Sequence, residues 1–222
     1  MSLESPRSVQ LADQGGEAIE RLQSFWARSG RILLAALGIL ILVGAGGYFM
    51  RRNQQNRESQ AATKVAEATA YYWQGDYARS TELAKQVSTQ FAGTRSGADA
   101  LRLLGDNQFW NGEFKPAAES YRKYLQKSGS GLLADAARRS LAYALESDHQ
   151  YAEAAKAYDE LVGRFDRASS AEFLWASARC LRALGQGDQA IERLRRIERE
   201  FGETTYARSA MMTIAEIEAS KG

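Results

Sequence analysis

The sequence contains very little proline and almost no cysteine. The only prolines are Pro6 and Pro116, and the single cysteine is Cys180. One cysteine cannot form an internal disulfide, which excludes a small secreted fold held together by disulfides. Few prolines interrupt the chain, and Ala, Leu, Glu, Gln and Arg are abundant, which favours helices over strands. The composition therefore predicts an all-α protein.

The sequence also lacks a large excess of charge of either sign. It carries 29 Lys+Arg and 27 Asp+Glu; six of the former and four of the latter precede Asn53, which leaves 23 of each in the rest of the chain. Domains that bind nucleic acid normally carry a basic excess, because they neutralise phosphates. The balanced charge therefore argues against nucleic-acid binding.

No group of residues in the sequence has the pattern of a catalytic or metal site. His149 is the only histidine, lies in a polar turn, and has no Cys or Ser placed nearby as a nucleophile. A metal site needs several clustered ligands, whereas Cys180 lies 31 residues further along inside a predicted helix. The pattern Gly-x-Gly-x-x-Ala at 185–190 follows a helical stretch instead of the strand that a dinucleotide site requires. We expect no enzyme activity, cofactor, metal or small-molecule substrate.

One long apolar run occurs near the N-terminus. Residues 32–50 are 19 residues without a charge, which as a helix span about 28 Å, close to the hydrocarbon thickness of a bilayer. Arg31 precedes the run and Arg51 follows it, as is typical of the ends of a span. A buried core helix would carry polar positions, and the apolar part of a cleaved signal peptide is usually shorter. The run therefore predicts an uncleaved single membrane span that contacts lipid.

The span divides the sequence into four parts. We predict an N-terminal tail over 1–30, a transmembrane helix over 31–52, a polar linker over 53–60 and a repeat domain over 61–222. In the tail, apolar residues recur at helical spacing at Ile19, Leu22, Phe25 and Trp26, which fits either an amphipathic helix at the membrane surface or a tail with scattered apolar residues. Basic residues are nearly equal in number on the two sides of the span, so charge alone does not set its orientation.

The rest of the sequence repeats itself. Four segments align, each with the pattern of a helix, a polar turn and a second helix: AEATAYYWQGDYARSTELAKQV, RLLGDNQFWNGEFKPAAESYRKYL, RSLAYALESDHQYAEAAKAYDEL and ARCLRALGQGDQAIERLRRI. A small residue early in each second helix recurs after 37, 37 and 36 residues, at Ser80, Ala117, Ala154 and Ala190. Small residues also recur in the first helices, where they allow paired helices to approach closely: Ala68, Gly105, Ala142 and Ala178.

The recurrence predicts an α-solenoid of about four helix-turn-helix repeats. After the fourth repeat, apolar residues share one face of a further helix: Tyr206, Ala210, Met211, Ile214 and Ile217. We expect this helix to cap the end of the solenoid, because a stack of repeats otherwise exposes its last apolar surface.

The segment LLGDNQFWNGEFKPAAESY resembles the tetratricopeptide repeat in its Leu-Gly pair, its turn glycine, its aromatic two residues later, its alanine and its later tyrosine. The segment ALGQGDQAIERL is similar to the same repeat with a shorter turn. The order of short tail, single span, polar segment and repeats resembles the YfgM family of ancillary SecYEG translocon subunits.

The resemblance to that family implies a bacterial inner-membrane protein with a cytoplasmic N-terminus and periplasmic repeats. It implies a scaffold, or a chaperone-like factor, whose partners are the SecYEG translocon and translocating or periplasmic polypeptides. The alternative is an assembly or coordination factor for cell-wall or outer-membrane complexes, where similar repeats also occur.

A binding groove is expected on the inner face of the first helices, because repeat solenoids bind along their concave side. Aromatic residues and arginine dominate interface energies, so their presence on that face suits an extended polypeptide. The predicted groove residues are Tyr72, Trp73, Arg102, Asp106, Phe109, Trp110, Arg139, Tyr143, Glu146, Trp175, Arg179 and Arg182. For Trp73, Phe109 and Trp110, packing within the solenoid is an equally good interpretation.

Overall fold

The computed structural model describes the backbone of residues 6–220 and the side chains of residues 19–21 and 23–220. The first five residues of the predicted tail and the last two of the predicted repeat domain lie outside the described residues, as does the side chain of Leu22. The described part of the chain contains helices and turns without a strand, which confirms the all-α prediction.

Nine helices form the described part of the chain. In order they are α1 (Pro6–Trp73), α2 (Tyr77–Gln90), α3 (Arg95–Trp110), α4 (Phe114–Lys127), α5 (Leu132–Ser147), α6 (Tyr151–Asp159), α7 (Arg167–Ala183), α8 (Gly187–Glu200) and α9 (Thr205–Ala219).

The chain divides into two compact units, Met1–Gln55 and Asn56–Gly222. In the first unit, α1 is long and apolar enough over residues 32–50 to cross a membrane, by length and composition. Its apolar side chains are open: Leu40 is 72% exposed and Met50 78% exposed. Nothing in the described part of the chain covers this apolar surface.

The second unit is a stack of helix pairs. The end of α1 packs on α2 through Ala68 and Ala84, and the Ser80 hydroxyl donates to the Ala68 carbonyl at 2.8 Å. Farther along, α3 pairs with α4, α5 with α6 and α7 with α8, while α9 packs on α7 and α8. This confirms the predicted solenoid of four pairs with a C-terminal capping helix. Each short turn reverses the chain, so the first helices of all pairs form one side of the unit and the second helices form the other.

Small residues allow the two helices of each pair to approach closely. Ala68, Ala142 and Ala178 are at most 1% exposed, and a Cβ atom added at Gly105 would lie 2.7 Å from the ring of Tyr121. This distance is too short for a side chain, so glycine at position 105 makes room for the tyrosine of the paired helix.

The capping helix α9 buries a slightly different face from the one predicted. Its buried positions follow the helical spacing at Ala207, Ala210, Ile214 and Ile217. Met211, which we expected on this face, is 56% exposed, so that part of the prediction is wrong. The buried stripe is narrow, and position 211 lies on its flank.

Candidate protein-binding face

All twelve predicted groove residues lie on the first helices of the four pairs, α1, α3, α5 and α7. We call the side that these helices form the groove face. Its residues fall into four groups. These are an aromatic group on the first two pairs, charged side chains that form ion pairs, two half-buried aromatic side chains on the last two pairs, and two arginines without a close ion pair.

The aromatic group lies at the C-terminal ends of α1 and α3. Trp110 donates a hydrogen bond from Nε1 to the Tyr72 hydroxyl at 2.8 Å, and the Tyr72 and Trp73 rings meet edge to face at 5.2 Å. Phe109 packs against Phe114 and the main core. Trp73 and Trp110 remain 79% and 61% exposed. We call these two tryptophans, held by Tyr72, the aromatic edge.

Two of the predicted groove residues form an ion pair beside the core. Arg102 Nη1 lies 2.7 Å from Asp106 Oδ2, and the Tyr121 hydroxyl donates to Asp106 Oδ1 at 2.8 Å. Burial raises the pKa of Asp106, although Arg102 and Tyr121 both act to lower it. These contacts fix the positions of both charged side chains within the repeat.

A second charged group connects α5 to α7. Arg179 donates to both carboxylate oxygens of Glu146, from Nε at 2.6 Å and from Nη2 at 2.8 Å, and the Tyr158 hydroxyl donates to Glu146 at 2.6 Å. Burial by itself raises the pKa of Glu146, but the hydrogen bonds from Arg179 and Tyr158 outweigh it and lower that pKa. The paired charges therefore tie consecutive repeats together.

Tyr143 and Trp175 also make contacts between neighbouring first helices. The Tyr143 hydroxyl donates to Glu172 at 3.0 Å, and burial raises the pKa of Tyr143 to about 12, as does the nearby carboxylate. The Trp175 ring packs at 6.2 Å from the Tyr206 ring of α9. Both side chains are half-buried, so packing accounts for much of their surface.

Arg139 and Arg182 are the groove-face arginines that make no close ion pair among the described residues. The Arg139 guanidinium lies 5.5 Å above the Phe165 ring, and Arg182 is 3.8 Å from Glu216, a loose and solvated pair. Arg182 also lines a small pocket of about 90 Å³ together with Trp175 and Arg179. A cation beside a half-open indole can recognise carboxylates or carbonyl groups of a bound chain.

Sequence reasoning missed the residues that pair with the groove arginines and tyrosines. Glu172 lies on α7, whereas Tyr206 and Glu216 lie on α9; each is about one repeat away from the residue that it contacts. Residues of opposite charge separated by roughly one repeat length are a signal that could have identified the ion pairs. The spacing of charged residues gives no information on how exposed the tryptophans of the aromatic edge are.

A larger hollow lies away from the groove residues. It measures about 730 Å³, and its lining includes Arg95, Asp99, Tyr124, Lys127 and Leu133, with none of the twelve predicted residues. Burial raises the pKa of Asp99 despite the nearby arginines. The loops before α3 and before α5 line this hollow together with residues of α3, α4 and α5.

The side chains that a catalyst might use are separated in the structure. His149 lies in the turn before α6, with Nδ1 2.7 Å from the Tyr151 hydroxyl. Cys180 is buried in α7, where burial raises the pKa of its thiol to about 12. In the described part of the chain, no three His, Cys, Asp or Glu side chains are grouped as metal ligands.

Comparison with known proteins gives one family and several similar folds. The family described as tetratricopeptide repeat-like domain matches residues 23–174, a stretch that contains both the apolar run and the first three pairs. No curated protein matches the sequence well enough to count as a relative.

Three solved structures have similar folds. A tetratricopeptide repeat protein from Parabacteroides merdae is 15% identical, covers 73% of this chain and 61% of its own, and has a TM-score of 0.61. A Podosopora anserina protein described as kinesin light chain TPR-like repeats is 19% identical, with 74% and 97% covered and a TM-score of 0.51. MamA AMB-1 is 15% identical, with 75% and 89% covered and a TM-score of 0.54. At these identities the likeness shows the fold alone.

Proposed function

The chain belongs to the tetratricopeptide repeat-like family, and we propose that it is a membrane-anchored scaffold that binds extended polypeptides on its groove face. Such repeats are protein-interaction scaffolds, typically without enzyme activity. The finer proposal is that the chain is an ancillary translocon subunit or chaperone-like factor of the bacterial inner membrane. Its N-terminus would lie in the cytoplasm and its repeats in the periplasm, where they would hold polypeptides during or after translocation.

The uncovered apolar helix supports the membrane anchor. Side chains of residues 32–50 such as Leu40 and Met50 are 72% and 78% exposed, and a surface this apolar is stable only when lipid or protein covers it. The family match begins before the apolar run and continues into the repeats. One family match therefore covers both the apolar run and the repeats, which supports a repeat domain joined to an anchor.

The aromatic edge is the observation that carries the binding proposal. Trp73 and Trp110 are 79% and 61% exposed, and the described repeats contain no other large aromatic side chain so open. Exposed tryptophans held in place by neighbours contribute strongly to binding, because little side-chain entropy remains to be lost. Arg139 and Arg182 add positive charge farther along the same face. Arg102 and Arg179 are fixed by their own carboxylates, so we assign them a positioning role.

Photocrosslinking in the full chain tests both parts of the proposal. A photoreactive amino acid at position 73 reports on the groove face, and one at position 40 reports on the neighbours of the span. The matched control is position 119, an exposed site on α4 outside the groove face. We expect secreted polypeptides to crosslink at position 73 and translocon subunits to crosslink at position 40.

The outcomes separate the proposals. Equal crosslinking at positions 73 and 119 would reject the groove face as the binding surface. Adducts at position 40 with cell-wall or outer-membrane assembly complexes, in place of translocon subunits, would assign the chain to envelope assembly. A reporter fused to the C-terminus must be active in the periplasm; activity in the cytoplasm would contradict the proposed orientation.

A further inference from the structure

The capping helix α9 continues the spacing of the first helices. The small packing residues Ala68, Gly105, Ala142 and Ala178 are followed by Ala215, which lies 37 residues after Ala178. With this offset, four residues of α7 correspond to four residues of α9. Ala171, Leu174, Ala178 and Leu181 match Arg208, Met211, Ala215 and Glu218, respectively.

In the complete repeats, the second helix of the pair covers this face. Gly105 approaches the Tyr121 ring of α4, and Ser120 of α4 donates to the Gln108 side chain of α3 at 2.7 Å. In α7 the face is closed by α8, so that Leu174 is 0% and Leu181 5% exposed. The position of Ala215 therefore marks where a paired helix packs.

In α9 the corresponding face is open. Met211 is 56% exposed, and Arg208, Ala215 and Glu218 are exposed as well. No helix among the described residues covers them. We call Arg208, Met211, Ala215 and Glu218 the outer face of α9. It corresponds to the surface that the second helix of a pair covers in the complete repeats.

We propose that the outer face of α9 pairs with the same face of a second copy of this chain, with the two helices antiparallel. The two-fold axis crosses the outer face at the level of Thr213, whose own side chain is buried on the opposite side of α9. Antiparallel pairing about this position brings together residues equally far before and after it, as in any interface that a two-fold axis generates.

The outer face is complementary to itself in this arrangement alone. Met211 lies two residues before Thr213 and Ala215 two after it, so a long side chain meets a short one at both contacts. Arg208 lies five residues before and Glu218 five after, so opposite charges meet at both ends. Parallel helices would instead place Met211 against Met211 and Arg208 against Arg208.

The charged ends are available for pairing between copies. No ion pair of Arg208 is formed among the described residues. Glu218 accepts from Arg195 at 3.0 Å through Oε1, which leaves its second oxygen for another donor. Both Arg195 and Glu218 are about half exposed, so this internal pair is weak and does not block the face.

The proposed interface is small. One face of a 15-residue helix provides less area than the roughly 800 Å² per partner of a standard stable interface. We therefore expect the pairing to depend on concentration and to be favoured where copies are held near one another.

Disulfide trapping of the full chain in mild detergent tests the pairing and its direction. Met211→Cys and Ala215→Cys chains are prepared separately and mixed at rising protein concentration under an oxidant. Both positions are exposed, so the substitutions leave the fold intact, which circular dichroism checks. The unchanged chain is the control, because its Cys180 is buried.

We expect the mixed M211C–A215C dimer to exceed either same-variant dimer about tenfold, because disulfides form only between Cα atoms closer than about 7 Å. A dominant M211C–M211C product would show parallel helices and overturn the proposal. Equal yields for all combinations, or none above the unchanged chain, would also overturn it, since random collision gives no preferred register.

Charge exchange gives a second, independent measurement. Arg208→Glu should lower the mixed-dimer yield about tenfold, because symmetry replaces two attractive pairs by two repulsive ones. Adding Glu218→Arg in an Arg195→Ala background should restore the yield, since opposite charges then face each other again. Arg195→Ala alone is the control and should leave the yield unchanged. Loss without restoration would refute the proposed register.

Discussion

At the scale of single residues, the turn inside each helix pair contains one residue in the left-handed conformation. Three of the four turns use glycine there, with φ of 78° at Gly75, 77° at Gly112 and 73° at Gly185. The remaining turn has His149 at the corresponding position, with φ of 59°. A side chain with a Cβ atom is strained in this conformation, whereas glycine is not.

Replacing this histidine should therefore stabilise the protein. We expect His149→Gly to raise the free energy of unfolding by about 1 kcal/mol, because it removes left-handed strain and sacrifices only an exposed contact with Tyr151. Urea unfolding of the full chain in detergent, followed by circular dichroism, measures the change. The matched control is Gly112→Ala, which introduces the same strain and should destabilise by a similar amount. If both substitutions stabilised the protein, or both destabilised it, left-handed strain at His149 would not limit its stability.

The Glu146 carboxylate gives a pH dependence with a defined sign. Its pKa in the folded chain is lowered, because the hydrogen bonds from Arg179 and Tyr158 outweigh the effect of burial. A lowered folded pKa adds stability above the usual carboxyl pKa, and that stability is lost as pH falls through the folded value. We expect the Glu146→Gln variant to be about 1–3 kcal/mol less stable than the unchanged chain at pH 7. On acidification, the variant should lose less stability than the unchanged chain does.

The control for Glu146 is Glu153→Gln. Glu153 also forms an arginine pair, with Arg122 at 2.6 Å, but its side chain is 62% exposed. Solvent screens such a pair, so its loss should change stability at neutral pH by less than about 1 kcal/mol. A Glu146 variant whose unfolding follows the same acid profile as the unchanged chain would show that the Arg179–Glu146 pair adds no stability.

At the scale of helices, the start of α3 is capped by a residue from another helix. Glu58 of α1 accepts backbone hydrogen bonds from Arg95 at 2.8 Å and Ser96 at 3.1 Å, and a third from the Ser96 hydroxyl at 2.6 Å. The first backbone N–H groups of a helix have no partner inside it, and a carboxylate there also suits the helix dipole. Glu58 thereby joins α1 to the second repeat.

Removing this cap should destabilise the first two repeats. We expect Glu58→Ala to lower the free energy of unfolding by about 1–2 kcal/mol, since partners of α3 are lost without replacement. Hydrogen exchange at Arg95 and Ser96 should accelerate more than exchange in α7. Glu67→Ala, an exposed glutamate of the same helix, is the control and should change neither quantity measurably.

The sequence predicts the helices of the repeat domain well because each carries the repeated pattern within itself. Ala142, Ala154 and Ala178 are buried as their spacing indicates, since periodicity records which face points inward. Contacts between repeats are harder to predict. That Arg179 binds Glu146 while Arg139 stays open depends on how far neighbouring helices are offset, and the sequence does not contain this offset explicitly.

The aromatic edge shows the same limit. From the sequence, Trp73, Phe109 and Trp110 were equally consistent with binding and with packing. The structure separates them: Phe109 packs against the core, while Trp73 and Trp110 stay mostly exposed. All three have the same apolar character, so only the rotation of each helix end decides which ring turns outward.

At the scale of the whole molecule, the two compact units differ in how much of their apolar side-chain surface is buried. Residues 56–220 bury one main core and two smaller clusters around the first repeat, built of alanine, leucine and aromatic side chains, as a repeat domain in water must. Residues 32–50 bury almost none of their apolar side chains. Stability of the repeats therefore should not depend on the apolar run, whereas retention at a membrane should depend on it entirely.

Truncation separates these two roles. A chain of residues 56–222 keeps Glu58 and every helix pair, so we expect it to be soluble, to retain its helicity, and to melt within about 3 °C of the full chain, a shift of order 1 kcal/mol. The full chain should stay with the membrane fraction after an alkaline wash, while the truncated chain should not sediment with it. An apolar helix is stable either in lipid or packed against other protein. If the truncated chain aggregated, or melted at a much lower temperature than the full chain, residues 32–50 would be part of the folded core and not a membrane anchor.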